Sequence, residues 1–132
     1  MINAVLLILE KDGKVLFGRR AKTKDSLPDK WSLPSEKLHE GESLEDGARR
    51  CVDHELGIEI SDIEVFDKFH FNDGEEDKVL NFVKAKYSDD PKPLAEDELV
   101  ELETYTFDEF FKKYEDKDIG HGLQYLRKKM GY

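Results

Sequence analysis

Gly41-Glu42-Ser43-Leu44-Glu45-Asp46-Gly47-Ala48-Arg49-Arg50-Cys51-Val52-Asp53-His54-Glu55-Leu56-Gly57-Ile58 is the clearest helix signal in the chain. Ser43 can cap, Asp46 three residues later makes an imperfect capping box, and Gly57 supplies the stop. The spacing predicts a helix from about Leu44 to Leu56. At about 100° per residue, Leu44, Ala48, Cys51 and Val52 form one buried stripe, while Arg49, Arg50, Asp53 and His54 point elsewhere. Glu55 breaks the pattern, because its azimuth falls between Cys51 and Ala48 on the side expected to be buried. An Arg or Lys pair at the helix edge is the bland account of that carboxylate; use in a metal or phosphate site is the sharper one.

Outward from this helix, the chain reads as strands. Ile2 to Leu9 is almost uniformly apolar, as in a central strand. Asp12-Gly13 makes a turn into a second strand at Val15-Leu16-Phe17. Arg19-Arg20 opens a polar loop to Asp29, and Trp31 to Leu33 is a short extended piece stopped by Pro34. After the helix, Ile60 to Phe71 and Val79 to Tyr87 read as strands joined through Asn72-Asp73-Gly74 and the acidic run Glu75-Glu76-Asp77. A loop with Pro91 and Pro93 precedes a strand at Leu99 to Tyr105. Thr106-Phe107-Asp108-Glu109 is a full capping box opening a short helix, and a last amphipathic helix runs from about Ile119 to Met130. This order suggests one domain, residues 1–132, with a mixed sheet covered by helices on two faces.

Composition excludes several classes. The chain has 132 residues, 21 Lys and Arg against 31 Asp and Glu, and a net charge of −10. That acidic balance argues against an extended nucleic-acid surface. No apolar run approaches the roughly 20 residues needed to span a bilayer. With no secretory signal at Met1-Ile2-Asn3 and a single cysteine, a cytoplasmic setting is the default.

The segment Trp31 to Glu42, followed by Arg50-Cys51-Val52-Asp53-His54-Glu55-Leu56-Gly57-Ile58, resembles the Nudix hydrolase family. Glu42 stands at the second anchor of that family's signature, Arg50 at its arginine and Glu55 at the last glutamate of its pair, with Gly57-Ile58 closing it. Leu16 to Arg20 looks like the family's second strand, and Glu98 to Phe110 like its last strand and helix. The resemblance implies an α/β fold, a Nudix-like α/β/α sandwich with a mixed β-sheet. It departs at three positions: Glu36 replaces the first glycine, Cys51 the first helical glutamate, and His54 the first of the paired glutamates. Arg49-Arg50-Cys51 with Glu55 to Ile58, and Arg20-Ala21-Lys22-Thr23-Lys24-Asp25, also look like the isopentenyl-diphosphate isomerase-like branch, without that branch's catalytic cysteine or metal-binding histidines.

The resemblance implies a diverged phosphohydrolase that cleaves a small nucleoside-diphosphate-linked or other diphosphate compound. Weakly bound Mg²⁺ or Mn²⁺ would be its cofactor, because oxygen ligands suit hard cations and cysteine does not. Glu55 and His54 are the catalytic candidates; Glu55, Glu42, Glu76 and Glu98 are the metal candidates, with spacing unable to choose between Glu76 and Glu98. Arg19, Arg20 and Arg50 are the candidate phosphate contacts, since guanidinium groups meet phosphate oxygens in pairs. Glu42 and Arg50 could instead pair with each other. Cys51 reads as a buried small hydrophobe, or as a soft-metal ligand with His54 and Glu55. His39 and His70 read as partly exposed strand residues. The partner would be a small phosphorylated metabolite or nucleotide, and a homodimer is the assembly common in the family. The contrasting reading is a catalytically inactive Nudix-fold module binding a phosphorylated ligand or a protein.

Overall fold

The computed structural model describes residues 1–22, 28–95 and 98–132. Thr23-Lys24-Asp25, part of the isomerase-like piece, and Glu96-Asp97 lie outside those residues. Among the described residues, seven strands and three helices follow in the order β1 (Ile2–Lys11), β2 (Lys14–Arg20), β3 (Trp31–Ser32), β4 (Ser35–Lys37), α1 (Leu44–Leu56), β5 (Ser61–Asn72), β6 (Asp77–Lys86), β7 (Leu99–Tyr105), α2 (Phe107–Lys113) and α3 (His121–Lys129). A 3₁₀ turn at Asp116–Asp118 precedes α3, so the last helix starts later than the sequence suggests.

The sheet is mixed, as expected. Its main path is β3-β2-β1-β6-β5, with β4 on β1 and β7 on β2. β1 and β6 run parallel and the other pairs are antiparallel. Asp12 and Gly13 both take positive φ, 52° and 79°, which matches the twist of a two-residue hairpin. β1 and β2 pair only beside that turn, at Glu10–Val15 and Lys11–Lys14, and then diverge. The chain from Trp31 to Lys37 fills the gap. β3 pairs Ser32 with Gly18, and β4 pairs Glu36 with Val5. Pro34 does not end this extended segment: it lacks an N–H, but its carbonyl accepts from Leu7 N at 2.9 Å and the chain continues as β4.

Alternation along the strands gives the sheet two apolar faces. One packs α2 and α3, through Phe110, Leu123 and Leu126, over Phe17, Trp31 and Phe82. The other packs α1 over Val5, Leu7, Leu9, Leu16 and Val83 through Ala48, Cys51, Val52 and Leu56. Leu44, at the open end of the α1 stripe, is half-buried. α1 has the expected bounds: Ser43 Oγ accepts from Asp46 N at 3.0 Å, and Gly57 ends the helix at φ 66°. Thr106 and Glu109 close the reciprocal capping box of α2.

Candidate active site

Glu55 is 2% exposed on the α1 face of the sheet. Burial pushes its carboxyl pKa up to about 9, helped by the negative charge of Glu36 and Glu98 and by a hydrogen bond to Glu36. Cys51 Sγ donates to Glu55 Oε2 at 3.6 Å, a weak bond that partly opposes the rise. The thiol itself is fully buried, and burial followed by the charges of Glu55 and Glu36 raises its pKa well above the ordinary value. Cys51 therefore stays a protonated, small core residue rather than a thiolate ligand.

Arg50 organises the opposite edge of the helix. Its Nε and Nη2 donate to Glu42 Oε2 and Oε1, both at 2.9 Å, and its Nη1 pairs with Glu36. Nη2 also donates to the Lys37 carbonyl at 2.7 Å, tying β4 to α1. Glu42 accepts in addition from His39 N at 3.0 Å. Arg50 and the His39 amide hold Glu42 down to about 2. His54, one helical turn beyond Arg50, brings Nδ1 to 2.5 Å from Glu36 Oε1 while most of its ring stays exposed. His39 lies exposed in the turn after β4 rather than in a strand, and His70 is exposed on β5.

The third edge comes from β2 and the start of β7. Ala21 N donates to the Glu98 carbonyl at 2.9 Å, which fixes Glu98 beside the end of β2. Leu94 N donates to the Glu55 carbonyl at 2.9 Å, so the loop before β7 covers the last turn of α1. Leu99 then crosses Gly18 so closely that a Cβ there would lie 2.7 Å from Leu99 Cδ1, and the leucine side chain would have to shift to admit it. Arg20 is held in the same region. Burial lowers its pKa, while the charges of Glu98 and Glu55 pull it back up. On the neighbouring β3, the Ser32 hydroxyl is buried without a hydrogen-bond partner among the described residues.

The structure thus gathers Glu55, Glu98 and Arg20, and places Glu42 with Arg50. It does not bring every candidate to that place. Glu76 sits in the β5–β6 turn, where its N–H donates to Asp73 Oδ1 at 3.0 Å. Arg19 points to the opposite sheet face, bonding Glu101 Oε1 at 2.9 Å and pairing with Asp29. Glu36 is the residue that sequence reasoning passed over, having treated it only as a lost glycine. Its signal was the alternation set by Val5, which requires knowing that β4 pairs with β1. An open cleft of 520 Å³, lined by Lys11, Lys14, Leu16, Tyr87, Leu102 and Thr104 among others, lies at the β1–β2 turn end of the sheet and does not include Glu55.

Among the described residues, no three His, Cys, Asp or Glu side chains are grouped closely enough to hold a metal ion as they stand. The donor chemistry nevertheless fits a hard cation better than a soft one. Glu55 and Glu98 are carboxyls close enough for the charge of one to act on the other, and the sulfur on this face, Cys51, is a buried thiol whose pKa is raised well above its ordinary value.

A mixed sheet splayed at β1–β2, with a capped helix laying one buried glutamate against it, is the architecture of a Nudix domain. The chain belongs to the NUDIX domain family, whose model matches residues 1–126. No curated protein matches it significantly in sequence. Solved structures similar to it include the MutT NUDIX hydrolase of Burkholderia pseudomallei, at 20% identity over 94% of this chain and 93% of that one, TM-score 0.79. The MutT protein of Methanosarcina mazei Go1 gives 19% identity over 98% and 92%, TM-score 0.81. DR0079 of Deinococcus radiodurans gives 16% identity over 96% and 82%, TM-score 0.77. These likenesses concern the fold. No described helix is long and apolar enough to cross a membrane.

Proposed function

We propose that this Nudix protein hydrolyses a small nucleoside-diphosphate-linked or other diphosphate compound with Mg²⁺ or Mn²⁺, weakly bound. The observation that carries the reading is the buried Glu55 carboxyl beside Glu98 and Arg20, at the end of the family's helix. Buried carboxyls are costly unless paired or used, and such strongly shifted acids concentrate at functional sites. Glu55 and Glu98 would hold the cation. When bound, a divalent ion supplies Lewis acidity and lowers the pKa of water. Arg20 binds and orients phosphate oxygens at the mouth of the site through a guanidinium already partly desolvated. Glu55 would hold the cation as a carboxylate, its proton having passed to solvent. Arg50 keeps Glu42 and β4 fixed against α1, so its contribution is to positioning.

The family membership and the oxygen donors support hydrolysis. The buried protonated Cys51 and the exposed His54, at two positions where Nudix helices carry glutamate, favour the second reading, a module that binds a phosphorylated ligand without cleaving it. The isomerase-like kinship rests on the sequence pieces alone. A screen for phosphate release over diphosphate compounds, with Mg²⁺ and Mn²⁺ supplied separately, tests the two readings. Metal-dependent release that Glu55→Gln abolishes supports hydrolysis; saturable ligand binding without release supports the module.

A further inference from the structure

Glu36 is held where a box glycine would leave nothing, and its surroundings are more elaborate than a surface ion pair requires. β4 pairs Glu36 with Val5, whose side chain belongs to the α1 face, so the Glu36 side chain rises on that face as well. There it meets the helix at two positions one turn apart. Arg50 pairs with one carboxylate oxygen and His54 Nδ1 approaches the other at 2.5 Å. The carboxylate therefore lies along the row 50–54 of α1, next to the row that carries Cys51 and Glu55. Its side chain is only 13% exposed. Arg50 does not need Glu36 as a partner, because Glu42 already takes it in a two-bond fork.

Charge points the same way. Four carboxyl groups, Glu36, Glu42, Glu55 and Glu98, surround two guanidinium groups, Arg20 and Arg50. Among the described residues this cluster therefore holds more carboxyls than guanidinium groups, a lining that suits a cation.

We propose that Glu36, reaching in from β4, supplies the carboxylate that α1 lacks at Cys51 and His54, as a further ligand for the divalent cation held at Glu55. This rests on the reading that Glu55 holds a cation. In this chain the oxygen donors come from three places: the helix gives Glu55, the approach to β7 gives Glu98, and the strand inserted between β1 and β2 gives Glu36. Arg50 and His54 aim the strand carboxylate, and the Arg50 bond to the Lys37 carbonyl fixes its backbone. The ligand is a hard cation of the Mg²⁺ or Mn²⁺ class, because all its donors are carboxylate oxygens.

Mn²⁺ binding to the full chain, followed by titration calorimetry and by the paramagnetic relaxation of water protons, provides the test. Glu36→Gln keeps the size of the side chain and its oxygen for Arg50, and it is expected to weaken Mn²⁺ binding by about tenfold or more. Glu36→Gly, the residue type expected at that box position, is expected to weaken it at least as much. Adding His54→Glu to Glu36→Gly returns a carboxylate from the helix and is expected to recover most of the affinity. Circular dichroism and melting curves establish folding; if Glu36→Gly fails to fold, Glu36→Gln alone decides. Wild-type affinity in Glu36→Gln, with Glu55→Gln losing binding, overturns the role of Glu36 and leaves the proposed function standing. Saturable Mn²⁺ binding absent from the wild type, or unchanged in Glu55→Gln, overturns the Glu55 reading and this one with it.

Discussion

The two faces of the sheet are built on opposite principles. Under α2 and α3 the packing is aromatic and uniformly apolar: Phe17 stacks on Phe110 with ring centroids 3.9 Å apart, and Phe107, Tyr105 and Tyr114 surround the pair. Under α1 the packing is aliphatic and contains a buried acid. Glu55 and Asn81, the buried polar and charged side chains of the described residues, belong to this second face: Asn81 alternates with Leu80 and Phe82 of the aromatic face, and Glu55 lies on α1. Asn81 is satisfied by Asn3 Oδ1 at 2.7 Å and the Ala4 carbonyl at 2.9 Å. The hydrogen-bond partners of Glu55 among the described residues are the Cys51 thiol and the Glu36 carboxyl. One face spends its surface on stability, while the other gives some up to hold a titrating group.

The largest contrast is expected in the cores. Phe17→Ala removes a fully buried ring from the aromatic face and should cost about 3–5 kcal/mol, read as a large drop in melting temperature. Any metal affinity of the still-folded fraction should be unchanged, since the ring lies on the other side of the sheet. An equal loss of metal affinity and stability would erase the division of labour between faces.

Arg50→Gln should come next. It removes the guanidinium bonds to Glu36 and Glu42 and cuts the tie to Lys37, lowering the melting temperature at neutral pH. Glu42 is held down to about 2 by Arg50, below its ordinary 4.5. A depressed carboxyl stabilises above its unfolded pKa, and that contribution is lost as pH falls from about 4.5 towards 2. Urea unfolding of Arg50→Gln between those pH values should show a flatter acid limb than wild type.

Glu55→Gln should act in the opposite direction on the alkaline side. The folded acid keeps its proton up to about pH 9, whereas the unfolded one loses it near 4.5. Its stabilising contribution is full below about 4.5 and drains away as pH rises through about 9. The amide carries no such proton, so metal-free melting curves of Glu55→Gln should stay flatter up to pH 9 and lie above wild type there. The smallest effect belongs to the far side of the molecule. Thr106→Ala removes the hydroxyl that accepts from Glu109 N at 3.1 Å and should cost about 1 kcal/mol in chemical unfolding, with metal binding untouched.

Much of this division was legible in the sequence, for local reasons. Ser43, Gly57 and the Ala48/Cys51/Val52 stripe carry α1 within one stretch of chain, and the azimuth of Glu55 already put a carboxyl on the buried side. The Thr106–Glu109 box is equally local. β4 was not legible, because a three-residue strand after a proline exists only where β1 and β2 have parted to admit it. Glu36 was hidden for the same reason. The choice between Glu98 and Glu76 likewise depends on distant pairing: Ala21 binds the Glu98 carbonyl and carries that residue to Arg20, whereas Glu76 stays in its own turn. Side chains assembled from β2, β4, α1 and the approach to β7 leave no spacing in the sequence to read.

In the proposed function a divalent cation would take the place of the Glu55 proton. Calorimetric titration of Mn²⁺ into the protein at pH 7.5, repeated in buffers of different ionisation enthalpy, counts the protons set free. The account predicts release of about one proton per ion bound in the wild type and loss of that binding in Glu55→Gln. Mn²⁺ binding that releases no proton, or that persists at wild-type strength in Glu55→Gln, would contradict it.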